Sequence, residues 1–93
     1  MDYNERGNIS AKTLDLNRAR QSLIEEFQAI MWYDERADAT SDKELKDVLA
    51  HNRDDEKEHA TLLLEWIRRN DKALAKKLEE IIFKTGKLEE LWD

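Results

Sequence analysis

Between Gly7 and Gly86 no glycine interrupts the chain, and proline is absent from all 93 residues. Proline breaks a helix and glycine weakens one, so nothing in the backbone chemistry stops long helices across that interval. No segment alternates polar and apolar residues in the manner of a half-buried strand. The periodicity is helical instead. From about Lys12 to Ala39, Leu16, Ala19, Leu23, Glu26, Ile30, Tyr33 and Ala37 recur in steps of three and four. From about Asp42 to Arg69 the same spacing picks out Leu45, Leu49, Asn52, Glu56, His59, Leu63 and Trp66. Charged residues make up 41% of the chain against 40% hydrophobic, a balance suited to long solvated helices.

The breaks between helices carry capping chemistry. Residues 1–9 read as a polar, mobile lead, and Ser10 as the N-cap of the first helix. Thr40-Ser41-Asp42 ends that helix, and Ser41 to Glu44 fits a capping box in which Ser41 accepts from the Glu44 amide. So short a link predicts an antiparallel hairpin of the helices at 12–39 and 42–69. Asn70-Asp71 breaks the chain again, and a third helix is expected over 72–84, with Leu74, Leu78, Ile81 and Ile82 on one face. Leu88, Leu91 and Trp92 suggest a last amphipathic turn over 87–92. The expected fold is all-α and a single domain over 1–93: a two-helix hairpin with short C-terminal helices. Two helices make half of a four-helix bundle, which dimerisation would complete.

Composition excludes several classes of function. Without cysteine there are no disulfides, thiolate metal sites or thiol nucleophiles. The longest apolar run, Ala29 to Tyr33, is far short of a membrane span, and Met1 to Arg6 lacks the apolar core of a signal peptide. A soluble, cytoplasmic protein is therefore expected. A formal net charge of −6 disfavours nucleic acid and anionic membranes as partners and suits the attraction of cations. Arg68, Arg69, Lys72, Lys76 and Lys77 read as a solvated face or subunit contact.

Each long seam contains acids where apolar residues are expected. Glu26 interrupts the first, and Glu56 with His59 the second, as a Glu-x-x-His pair on one helix face. A carboxylate inside a bundle is costly unless paired or bound to metal. Measured from Thr40, Glu26 and Glu56 lie at nearly equal heights, roughly 21 and 24 Å along their helices at 1.5 Å per residue. They should face each other across the hairpin. Diiron carboxylate bundles take one Glu from each of two helices and Glu-x-x-His from each of the other two, and this chain carries one of each. It is half a site. Two copies about a twofold axis would complete both the ligand set and the bundle. Carboxylate and imidazole without thiolate suit Fe or Mn, with Zn or Ca able to substitute. The competing reading is a non-enzymatic helical oligomerisation module whose acids form buried ion pairs. His51 reads as a solvated residue and Glu25 as an exposed helix acid, while Trp32, Tyr33 and Trp66 read first as core or interface aromatics.

The strings Glu25-Glu26-Phe27-Gln28-Ala29-Ile30-Met31-Trp32-Tyr33-Asp34-Glu35-Arg36, Ala50-His51-Asn52-Arg53-Asp54-Asp55-Glu56-Lys57-Glu58-His59 and Leu64-Glu65-Trp66-Ile67-Arg68-Arg69-Asn70-Asp71 resemble the encapsulated ferritins. These are half-size relatives of ferritin housed in encapsulin compartments. The resemblance spans about residues 20–71. It implies a diiron ferroxidase centre held by Glu26, Glu56 and His59 of two subunits, iron storage inside an encapsulin shell, and dimers assembled into a decameric ring. It also implies that Trp32 and Tyr33 lie just behind the ligands. Family members often carry acids at the positions of both Glu25 and Gln28, forming an outer metal site that admits iron. Gln28 departs from that pattern and weakens such a site here. The peptide that addresses these proteins to encapsulin is not evident after Glu90-Leu91-Trp92-Asp93.

Overall fold

The computed structural model describes residues 7–92. Most of the polar lead expected over 1–9 lies outside them. The fold is all-helical: α1 (Ala11–Ala39), α2 (Lys43–Asn70), α3 (Lys72–Ile81) and a 3-10 turn at Leu88–Leu91. Ser10 caps α1, its hydroxyl accepting from the Thr13 amide at 3.1 Å. At the other end Thr40 turns extended, while its N–H still donates to the Arg36 carbonyl.

The cap of α2 is Asp42 rather than Ser41, its carboxylate accepting from the Leu45 amide at 2.9 Å. Two forces favour the shift by one residue. A carboxylate suits the positive end of a helix better than a neutral hydroxyl. The Thr40 hydroxyl also accepts from the Asp42 amide, which leaves Asp42 as the last residue outside the helix. Asp71 plays the same part for α3, accepting from the Leu74 amide at 3.0 Å. That bond first, and Arg20 second, hold the Asp71 carboxyl below its usual range.

α3 stops at Ile81, three residues before the expected Lys84. Ile82 is its cap, and Phe83 adopts a left-handed φ of 63°. The chain then turns through Gly86, at φ 105°, and sets Leu88, Leu91 and Trp92 beside Lys77 and Ile81 of α3. This reversal requires left-handed residues. Glycine adopts them freely, whereas Phe83 does so at a cost of about 1–2 kcal/mol.

α1 and α2 run antiparallel: later residues of α2 meet earlier ones of α1, Arg53 with Asp34 and His59 with Glu26. Their contact is thin. Ala37, Ala60 and Ile67 are the buried apolar residues of the described chain, at 5%, 5% and 2% exposure. The accessible surface is 7858 Å². A compact protein of this mass exposes about 5,700 Å². Phe27 and Met31 of α1, Val48, Leu62 and Trp66 of α2, and Phe83 beyond α3 all face solvent.

The seam of α2 is therefore rotated from the one its periodicity suggested. Leu45, His59 and Trp66 are exposed, and the line turned toward α1 runs through Glu56, Ala60 and Ile67. A lone hairpin can cover only a narrow stripe of each helix. The wider apolar surface of α2 thus divides between a contact within the chain and a face left open.

Candidate metal centre

α1 brings Glu26, and α2 brings Glu56 and His59, to one height on the hairpin. Glu56 and His59 are three apart, so about one turn of helix stacks them on one side. His59 Nδ1 lies 3.4 Å from Glu56 Oε2 and 3.7 Å from Glu26 Oε2. One ligand atom from each of the three residues falls within 4.8 Å of the others. Among the described residues this is the one group of three or more metal-ligating side chains gathered so closely.

Burial within the trio is unequal. The Glu26 and Glu56 side chains are 23% and 24% exposed, whereas His59 is 53% exposed. The site is closed by the hairpin on one side and open on the side of His59. Val48, Leu62 and Trp66 flank His59 at helical spacing on that open side, and all three are exposed.

Glu26 Oε2 is buried and accepts no hydrogen bond. Leaving a buried acceptor unsatisfied costs about 1–3 kcal/mol, and more for a charged one. The second carboxylate nearby, Glu56, adds repulsion. A cation between the two oxygens and the imidazole relieves both penalties, so the residues present fit a metal. Two carboxylates and one imidazole form a hard-to-borderline donor set.

The other residues singled out from the sequence sit further away. Glu25 precedes Glu26 and is turned from it by about 100° around α1, into solvent. Trp32 is half exposed on that outer side, and the half-buried Tyr33 carries the Arg36 guanidinium 5.9 Å from its ring centre. Gln28 is exposed. His51 is exposed and lies 3.5 Å from Asp55. Trp66 belongs to the open face.

Two charge clusters lie apart from this trio. Arg53 donates to Asp34 across the hairpin at 2.9 Å and to Asp54 at 3.1 Å. These bonds, Asp54 foremost, raise the arginine above its ordinary pKa and hold Asp54 low. Glu65 accepts from Arg68 and Arg69, which bring its carboxyl down to about 2. The second was legible as i, i+3 and i, i+4 spacing. The first spans two helices at unequal heights and depends on the reach of the arginine.

Comparison with known proteins gives the family. The EncFtn-like family profile matches residues 2–85. The chain belongs to the EncFtn-like family. Among curated relatives, this EncFtn-like chain is 49% identical over 78 residues to the encapsulated ferritin-like protein of Rhodospirillum rubrum, covering 84% of this chain and 56% of that one. It is 48% identical over 62 residues to the ferritin-like protein of Thermotoga maritima, covering 67% and 54%. The chain thus spans about half the length of the curated relatives it matches. A crystal structure of a Nitrosomonas europaea protein superposes with a TM-score of 0.86 at 47% identity, covering 94% of this chain and 96% of that one. The resemblance seen in residues 20–71 is that of the family. No helix among the described residues is long and apolar enough to cross a membrane.

Proposed function

We propose that the chain is a ferroxidase that oxidises Fe(II) to Fe(III) at a diiron centre shared between two copies, with Glu26, Glu56 and His59 of each as ligands. The observation that carries this reading is the buried oxygen of Glu26, which accepts no hydrogen bond and is turned toward Glu56 and His59. A module built on hydrogen-bonded ion pairs would give that oxygen a donor. Here His59 stands 3.7 Å from it, beyond hydrogen-bond length.

Iron is the substrate. Two copies facing each other through their His59 sides would supply four carboxylates and two imidazoles, and would cover the exposed Val48, Leu62 and Trp66 in the same step. The four carboxylates balance the charge of two divalent ions and favour the trivalent product still more. Two Fe(II) surrender one electron each. With dioxygen and two protons the balance is hydrogen peroxide and two Fe(III); with hydrogen peroxide and two protons it is two waters. The open side of the hairpin admits iron before the copies close on it. Tyr33, two turns along α1 from Glu26, tunes the site without ligating.

The likeness to an encapsulated ferritin-like protein supports a wider setting. Dimers build a ring, a decamer by family likeness, inside an encapsulin compartment of the cytoplasm that stores the ferric product. Anaerobic Fe(II) addition followed by air tests the central claim. The native protein develops a ferric absorbance, and Glu26→Ala, Glu56→Ala and His59→Ala each abolish it. Oxidation at the native rate in all three variants would remove the assignment.

A further inference from the structure

We propose that Arg53 is a positioning residue for this centre: by pinning α2 to α1 through Asp34, it sets the height at which Glu56 and His59 meet Glu26. The inference rests on the ligand reading above. Arg53 lies three residues before Glu56 on α2, and its side chain is 26% exposed. Its guanidinium is held at two points, Nε donating to Asp54 of its own helix at 3.1 Å and Nη1 to Asp34 of α1 at 2.9 Å. Asp54 is held in turn by Lys57 at 3.3 Å. The fork is therefore anchored on α2 before it reaches across.

The need for such a pin follows from the seam itself. Beside the site Ala60 is buried, while Leu23 and Ile30 of α1 are only half-buried, so the apolar contact there is shallow. Apolar contact is non-directional, and where it is shallow it sets the register weakly. One residue of slip moves a helix by about 1.5 Å. That is a large fraction of the 3.7 Å between His59 and Glu26, the separation that crosses the hairpin. A directional hydrogen bond between helices fixes the register where apolar contact does not.

Charge alone would give Arg53 a different role, and the two roles differ in sign. As a cation near Glu26 and Glu56, Arg53 repels metal, so removing it would tighten binding. Removing the charge of Asp34 would weaken it. As a pin, the pair works as a unit, and loss of either partner weakens binding.

The test is Co(II) titration of the full chain, followed by the visible absorption of bound Co(II), with helicity checked by circular dichroism. Arg53→Met and Asp34→Ala are each expected to weaken Co(II) binding about two- to fivefold, the range that loss of one exposed ion pair supports. The double variant is expected to be no weaker than either single one. Arg53→Lys, which keeps a cation within reach of Asp34, recovers part of the loss. Tighter binding by Arg53→Met, or native binding by both single variants, overturns the proposal. Should Arg53→Met lose its helices, Arg53→Gln is read in its place: weaker binding supports the pin, and native or tighter binding overturns it. A native protein that binds no Co(II) refutes the ligand reading itself; native binding with unaltered variants refutes only the pin.

Discussion

Replacing Glu26 with methionine separates a metal ligand from a structural ion pair. Methionine is close to glutamate in length, is apolar and adapts to irregular gaps. If Glu26 pairs with His59 as part of the fold, Glu26→Met removes a stabilising contact and lowers the melting temperature of the metal-free protein. If Glu26 is held for a cation, the metal-free protein carries a buried oxygen without a hydrogen-bond donor beside a second carboxylate, and the substitution relieves it. The relief is about 1–3 kcal/mol for an unsatisfied buried acceptor, toward the low end for a side chain 23% exposed. At about 4–8 °C per kcal/mol for a domain of this size, the variant should melt roughly 4–8 °C above the native protein in chelator. Metal reverses the order. Native protein at a hundredfold excess of metal over its Kd gains about 2.7 kcal/mol, and the variant gains little. Thermal melts with EDTA and with Co(II), on both proteins, give four temperatures whose order should cross. A variant that melts below the native protein in EDTA would refute the reasoning, because it would show that the carboxylate has a partner without metal.

Chelator should shift the native protein toward monomer, and divalent metal should restore the dimer. Two independent ions at a hundredfold excess tighten association by about 10⁴-fold, each adding RT ln(1 + [L]/Kd). Native mass spectrometry with and without metal reads this, and an oligomer distribution indifferent to metal at every protein concentration would sink it. Tyr33→Phe should keep the metal stoichiometry and change the oxidation rate, measured by titration and stopped flow; loss of bound metal would make Tyr33 a ligand. Glu65 should contribute stability above the usual carboxylate range and lose it as pH falls through its folded value of about 2, because its folded pKa is depressed. Melting curves between pH 5 and 2 should therefore show the gap between native protein and Glu65→Gln narrowing toward the acid end.

What the chain decides by itself is local. Uninterrupted helices follow from the missing prolines and glycines, and Ser10 and Asp71 end them through bonds to amides three residues away. The level placement of Glu26 with Glu56 and His59 follows from counting residues on either side of a short turn, so their meeting could be read before any coordinates. Rotation about the helix axes could not. Periodicity marks how much of α2 is apolar but not which neighbour each part meets, and the hairpin buries Ala60 and Ile67 while leaving His59 and Trp66 outside. The short α3 depends likewise on the reversal at Phe83 and Gly86, and the Arg53–Asp34 pin on the reach of one side chain between helices. Capping and helix propagation act over one or two turns of chain, whereas burial is settled only when another surface arrives. In this protein much of the apolar surface of α2 faces away from α1, and the open side of the candidate metal centre lies within it.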